Sequence, residues 1–313
     1  MRSRRPRRKS RSCLTPSTAS SRDLTIGQTR ALWAWAFLAL PVVFFVAIRF
    51  YPAADALLAS FTNWNIVGKR EWIGVANYTR LAHDAVFWKV IGNTFLYLAL
   101  GVPISLLLSF VVAYYLDRVR FGHGLLRALY FVPHLTTAVA MAWVWRWFYQ
   151  APPVGAFNVW LTSLGFSQMP FLRSTTQALP AVLAPAIWAG IGFQIVIFLA
   201  GLKAIPRTYY EAAAIDGAGA WRVLFEVTLP SLKPTLVFLV VTSSIAYLRI
   251  FDYVYAMTSG QGGPLDATKP LVLMIFDTAF KHFEMGYAAT QTVVLFAILL
   301  VISLLQLKIL RSR

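Results

Sequence analysis

Six apolar stretches, each of about 18 residues or more, dominate the sequence: 31–48, 90–116, 128–145, 178–202, 234–257 and 287–307. The first, second and fourth contain no charged side chain, the fifth contains none as far as Leu248, and the third holds His134. A run of about 20 residues rising ~1.5 Å each crosses a ~30 Å hydrocarbon core. Lipid offers no partner to backbone N–H and C=O groups, and the runs lack the alternation of barrel strands, so each is expected to be a helix. The expected fold is an all-α membrane protein with six transmembrane helices. A seventh apolar run, 271–280, is too short to span, holds Asp277, and reads as an interfacial or loop helix. Composition agrees: 13% of residues are charged, against roughly 25% in soluble domains. The 58% apolar content excludes disorder of the whole chain.

The net charge of +17 invites a nucleic-acid reading, but nine of the basic residues precede the first span. A basic, Ser-rich segment ahead of a hydrophobic helix marks a cytoplasmic N-terminus. Residues 1–30 therefore read as a disordered basic cytoplasmic tail that anionic headgroups can attract, and 31–313 as the transmembrane domain. With the N-terminus inside, the inner segments carry 19 Lys and Arg against 8 outside, or 10 against 8 without the tail. Both termini are expected on the cytoplasmic side. The competing reading of the first run is a cleaved signal peptide, with small residues near Ala53 to Ala56 as the cleavage site. The long tail, the full span length and a break at Arg49-Phe-Tyr-Pro52 favour a retained helix. Cys13 is the single cysteine and has no intrachain partner.

No catalytic or metal-binding pattern is present. His83, His123, His134 and His282 show no metal-ligand spacing, and no Gly-x-Ser-x-Gly elbow occurs. Ser259-Gly-Gln-Gly-Gly263-Pro264 is a turn sequence lacking the Lys-Ser/Thr of a phosphate-binding loop. His134 is expected to pair with a backbone carbonyl or a neighbouring helix. Aromatic residues around Trp64, Trp72, Trp88, Trp143 and Trp147 suit an interfacial belt. Asn77-Tyr78-Thr79 matches a glycosylation acceptor, a pattern too short to weigh. Phe44, Phe45, Tyr130 and Trp188 read as packing groups and are assigned no gate.

The most informative segment joins the fourth and fifth runs. Pro206 is expected to break the membrane helix, and Thr208 with Glu211 stands in capping-box spacing to start another. Ala212 to Ala214 favour helix and present small side chains; Gly217 and Gly219 end it. A second helix is expected from about Ala220, with Trp221/Phe225 and Arg222/Glu226 as i,i+4 neighbours and Pro230 as its stop. Adjacent spans need only a few residues of connection. About thirty folded residues with an alanine face therefore suggest a docking surface for a cytoplasmic partner.

Glu211-Ala212-Ala213-x-x-Asp216-Gly217-Ala218, then Phe225 and Leu229-Pro230, resembles the EAA loop of the membrane-spanning subunits of bacterial binding-protein-dependent ABC importers. Phe198 to Pro206, Phe251 to Thr258, Gly263-Pro264, Tyr51-Pro52 and Ser60 to Trp64 are similar to the carbohydrate-uptake branch, the maltose and glycerol-phosphate permease type. The resemblance covers about residues 32–310. It implies a non-enzymatic permease in the bacterial cytoplasmic (inner) membrane. It implies pairing with a second homologous permease, with two ATPase subunits gripping the EAA helices, and with an extracytoplasmic solute-binding protein. ATP and Mg would be bound by the ATPase subunits, and no cofactor, metal or nucleic acid by this chain. Alternating access, driven by ATPase closure through Glu211, Ala212, Ala213, Asp216, Gly217, Ala218, Leu229 and Pro230, would move a sugar or sugar-like solute. The alternative is an ion-coupled secondary transporter, which would need buried carboxylates and paired inverted repeats; no such repeat is visible. A membrane enzyme is disfavoured by the missing motifs.

The fifth run is the only one with charges well inside it, Arg249 and Asp252. A charge at the bilayer centre costs ~2.5–3.5 kcal/mol even on lenient scales, so these side chains are expected to avoid lipid. At i and i+3 they are expected to be close enough to pair on one helix face. Ser243, Ser244 and Tyr247 precede them and Tyr255 follows. Hydroxyls, charges and aromatic rings together suit a sugar, and in the family the corresponding helix lines the solute cavity.

Overall fold

The computed structural model describes residues 26–311 apart from Val67 and Arg120. Most of the basic tail, Cys13 included, lies outside the described residues. The chain falls into two compact units, residues 1–53 and 54–313.

In the first unit, α1 (Ile26–Phe45) begins inside the segment read as tail, then passes through a π-turn at Val46–Phe50 into α2 (Tyr51–Ala59). The expected break at Arg49 to Pro52 is thus a re-registration. The Tyr51 N–H donates to the Val46 carbonyl, an i→i+5 bond that lets the helix continue past Pro52. Thr29–Ala59 forms one candidate span of 31 residues.

In the second unit, which takes in the end of α2 from residue 54, a connecting segment leads to α3 (Ala76–His83). Asn77 is buried and its amide donates to the carbonyls of Ser60 and Thr62, at 3.1 and 2.9 Å. That role removes it as a glycan acceptor. The Asp84 carboxylate accepts from the Val86 and Phe87 N–H groups at 2.9 and 3.3 Å, capping α4 (Ala85–Leu116). The span therefore starts five residues earlier than its apolar run.

The third run is bent. α5 (His123–Leu135) and α6 (Ala138–Phe148) meet at 94°. Thr136 and Thr137 are extended, and the Thr137 hydroxyl accepts from the Ala140 N–H. A β-branched residue with its own cap restarts the helix in a new direction. The His134 ring bonds the Ala189 carbonyl at 3.2 Å, as the sequence suggested. α7 (Ala156–Ser163) and a 3₁₀ turn at Phe171–Arg173 lead to α8 (Ala178–Lys203).

Then come α9 (Arg207–Ile215), α10 (Ala220–Val223), a π-turn at Leu224–Thr228 and α11 (Leu229–Ser231). The fifth run follows as α12 (Lys233–Leu248) and α13 (Asp252–Thr258), interrupted at Arg249, Ile250 and Phe251. α14 (Leu271–Phe276) and α15 (Met285–Arg311) complete the chain. Leu271 and Leu273 of α14 are fully buried, so the short helix expected in the seventh run packs into the protein. Its length excludes spanning, and packing against α4 and α15 absorbs its apolar face.

Among the described residues five helices are long and apolar enough to cross a membrane, and the bent α5–α6 pair has the composition of a sixth. α8 is the centre: it packs on α4, α5, α6 and α12, and Ile195 and Phe198 on it are fully buried. α4 and α12 touch at Gly101, where an added Cβ would lie 2.6 Å from the Tyr247 ring; no larger residue permits that approach. Leucine, valine and phenylalanine on the outer faces of α4, α5 and α15 stay exposed, as lipid-facing helices require.

Candidate functional site

Two regions hold the residues that the sequence singled out. The first hangs from the end of α8. Pro206 sits at the N-cap of α9 with extended backbone, and no side chain caps the helix. The expected capping box is not formed: Thr208 lies one residue inside the helix, because the proline itself supplies the turn. The other end is closed as expected. Gly217 has φ +67°, its N–H donates to the Ala214 carbonyl at 3.1 Å, and the Ala218 N–H donates to Ala213 at 2.9 Å. This is a Schellman stop, which requires a left-handed residue after the C-cap. Pro230, by contrast, does not stop the following helix. The π-turn at Leu224–Thr228 runs into α11 through Leu229 and Pro230, since its longer loops leave no N–H demanded of residue 230.

Ala213 of α9 is buried, while Glu211, Ala212, Asp216 and Gly217 are exposed. Ala218 and Leu229 are half-buried and Pro230 is exposed. Ala212, Ala213, Asp216 and Ala218 face Arg222 and Glu226 across a shallow cavity of 380 Å³. Arg222 donates to Glu226 at 2.8 Å, and that bond holds the guanidinium pKa above its ordinary value. Trp221 and Phe225 stack with ring centroids 6.2 Å apart. With Ile215 they leave three large apolar side chains exposed at the outer end of this helix–turn–helix. The hollow thus mixes alanines with the charged side chains of Asp216, Arg222 and Glu226.

The second region lies at membrane depth. The Gln194 amide on α8 donates to Ser105 Oγ of α4 at 3.2 Å and to Ser243 Oγ of α12 at 3.1 Å. Its carbonyl oxygen accepts from the Ser109 hydroxyl of α4. All four side chains are buried. Gln194, Ser243, Tyr247, Arg249 and Asp252 line one cavity of 210 Å³. Four of the six residues expected on the path are thereby brought together. Ser244 is not: it is one residue round the helix, and its hydroxyl donates to the Val240 carbonyl and accepts from Gln306 of α15 at 2.7 Å. Tyr255 is not either, since its ring packs on Phe251 and Phe276. Arg249 and Asp252 form no ion pair with each other among the described residues. The helix breaks between them, so the i,i+3 geometry that would pair them does not exist. Asp252 opens α13, where a carboxylate meets the positive end of the helix dipole.

Gln194, which joins three spans, was missed by the sequence. A lone glutamine in an apolar run is a weak signal, and only the fold shows which hydroxyls it meets. No group of three or more His, Cys, Asp or Glu suited to a metal ion occurs among the described residues.

Comparison with known proteins places this architecture. Residues 86–313 match the family described as the inner membrane component of binding-protein-dependent transport systems. A probable ABC transporter permease protein, YesP of Bacillus subtilis strain 168, is 32% identical over 280 residues, covering 88% of this chain and 90% of the relative. MsmF of Streptococcus mutans, a multiple sugar-binding transport system permease protein, is 30% identical over 280 residues, covering 88% and 94%. Among solved structures, a bacterial ABC transporter involved in importing the acidic polysaccharide alginate shares the fold, with a TM-score of 0.78 at 22% identity over 90% of this chain and 96% of that one. The chain belongs to the binding-protein-dependent transport inner-membrane family, a family of transporter permease subunits rather than enzymes, and it is a multi-pass membrane protein.

Proposed function

We propose that this chain is the permease subunit of an ATP-driven importer of a sugar or sugar-like solute, working by alternating access. Residues 31–313 form the permease proper, with both termini in the cytoplasm. A second homologous permease completes the pore, two ATPase subunits bind ATP and Mg beneath it, and an extracytoplasmic binding protein delivers solute. The observation that carries this reading is α9: a helix held rigid by its Schellman stop, set at the end of the central α8, with Ile215, Trp221 and Phe225 exposed beside an alanine-lined hollow. An ATPase that grips this unit moves α8 and α12 together, and both reach the cavity around Gln194. The sugar class is supported by relatives such as MsmF, whose name assigns it to a multiple sugar transport system. The amide, hydroxyl, phenol and charged groups that line the cavity suit polyhydroxylated solutes.

The test is labelled-sugar uptake by cells carrying the complete transporter. Uptake is expected to vanish when the ATPase partner can bind but not hydrolyse ATP, and to survive an ionophore that collapses the proton gradient. Uptake that persists with the inactive ATPase would sink the reading.

A further inference from the structure

The face opposite α9 contains a cavity that the transport reading does not explain. It is bounded by the end of α6, the segment between α7 and α8, and the turn that follows α13, and it measures 1050 Å³. Pockets that hold small organic ligands run from about 300 to 1,000 Å³, so it has room for a saccharide.

Its wall is pre-built. Asn158 is 1% exposed, and its amide donates to the Gln150 and Met169 carbonyls at 3.0 and 3.1 Å while its oxygen accepts from the Met169 N–H at 2.8 Å. One buried side chain thus pins the two sides of the connection together. The Phe171 ring stacks on Tyr149 at 4.5 Å, and the Phe171 N–H donates to Gln177. These contacts fix the 3₁₀ turn that carries Arg173.

The charge of the lining is one-sided. Arg146 and Arg173 line the cavity, and no aspartate or glutamate does. Arg146 donates to Ser259 Oγ at 2.8 Å and lies over the Trp143 ring, which positions its guanidinium without neutralising it. Neither arginine has a carboxylate partner among the described residues. The side-chain amides of Gln150, Gln168 and Gln261 also line it and make no hydrogen bond within the described protein. Two cations without a carboxylate partner, one of them held in place, call for an anion, because guanidinium groups bind carboxylates through charge-assisted, paired hydrogen bonds. Three unengaged amides call for hydroxyl groups. A lone carboxylate would use the first set and leave both the second set and most of the volume empty.

We propose that this outer vestibule binds an acidic saccharide, a sugar bearing a carboxylate, and that it selects for charge before the solute reaches the cavity around Gln194. The proposal rests on the sugar-importer reading and narrows it. The deeper cavity holds charges of both signs, Arg249 and Asp252, and exerts no such preference. α13 separates the two cavities: Asp252 and Tyr253 at its start line the inner one, Met257 and Thr258 at its end line the outer one. Seven residues of helix make the step between them about 10 Å.

The test is ligand-observed NMR titration of the full-length chain in lipid nanodiscs with galacturonate, galactose and acetate. Galacturonate is expected to bind at least about tenfold more tightly than either of the others, the worth of one charge-assisted contact. Arg173→Gln, on an exposed turn, is expected to reduce galacturonate to the level of galactose, and Arg173→Lys to restore part of the difference. If galactose binds as well as galacturonate, the charge preference is wrong while the sugar reading stands. If acetate matches galacturonate, the site reads a bare carboxylate such as a docking protein's acidic side chain, and the saccharide assignment is overturned. Binding of none of the three overturns the proposal and leaves the uptake experiment above to judge the sugar reading by itself.

Discussion

The α9 unit and the Gln194 cluster do opposite things with similar material. The α9 unit is held by bonds between near neighbours in sequence: Ala218 to Ala213, Gly217 to Ala214, Arg222 to Glu226. It is largely exposed and leaves its apolar groups without partners. The Gln194 cluster is buried, and its bonds join residues 49 to 89 positions apart. Local bonds shape an exposed surface; long-range bonds hold the chain itself. Damage to α9 is therefore expected to cost transport with little loss of stability, and damage to Gln194 the reverse.

The largest effect is expected at Gly217. A valine there must either adopt φ near +67°, which costs a β-branched residue about 1–2 kcal/mol or more, or give up the backbone bonds that square off α9. Uptake is expected to fall about a hundredfold, since a 1 Å misplacement of a coupled element can cost that much. Thermal unfolding in detergent is expected to shift only a few degrees. Glu211→Ala, at an exposed position, is expected to lower uptake with no measurable change in stability. Full transport by both variants would show that α9 is a passive connection.

Gln194→Ala should separate the regions from the other side. It deletes a side chain that is 5% exposed and its links to two other spans. Interhelical bonds in membranes are worth ~0.6–2 kcal/mol each, and a partly collapsed cavity adds to that. A loss of about 2–4 kcal/mol is expected in reversible denaturation. If stability were unchanged and only transport fell, the glutamine would belong to the solute path alone.

The sequence showed the α9 unit well because its signals are contiguous. Glycine at a left-handed position, alanines on one face and i,i+4 pairs all act within one or two turns. The spans were equally visible, as lipid demands long apolar helices. Breaks inside them were not. Thr137 capping α6 and the interruption at Arg249 depend on which direction the chain must take next, and neighbouring helices decide that. Thr208 misled for a related reason: its spacing to Glu211 was right, but Pro206 already occupied the cap. That Ser244 and Tyr255 lie away from the cavity around Gln194 was not legible either, because composition cannot say which side of α12 or α13 faces α15 or α14 and which faces the cavity.

Ser243 and Ser244 sharpen that last point, since the two are adjacent and chemically identical. Ser243→Ala removes one acceptor of the Gln194 amide at the cavity wall. Ser244→Ala removes the acceptor of Gln306 and loosens α12 against α15. Each is expected to cost about 1 kcal/mol or less of stability. Only Ser243→Ala is expected to alter the relative uptake of different sugars, measured as competition against one labelled solute. Equal selectivity changes in both variants would mean that the solute reaches the α15 side of α12.

The smallest effect is expected at Arg222. Its pair with Glu226 is more than half exposed on both sides, and exposed i,i+4 pairs are screened by solvent and contribute little. The bond raises the Arg222 pKa, so its contribution is fully present below the ordinary arginine pKa and is lost only as pH rises through the raised value, far in alkali. Arg222→Ala is therefore expected to leave the unfolding midpoint nearly unchanged at neutral pH, and added salt is expected to shrink even that difference. Yet Arg222 also borders the hollow of α9, so the same variant tests the contrast between the regions at its most delicate point. If an ATPase docks there, a residue almost irrelevant to folding should still lower the affinity of the complex, measured by co-purification across a salt series. If affinity, like stability, were unmoved, docking would rest on Ile215, Trp221 and Phe225 and not on the charged rim.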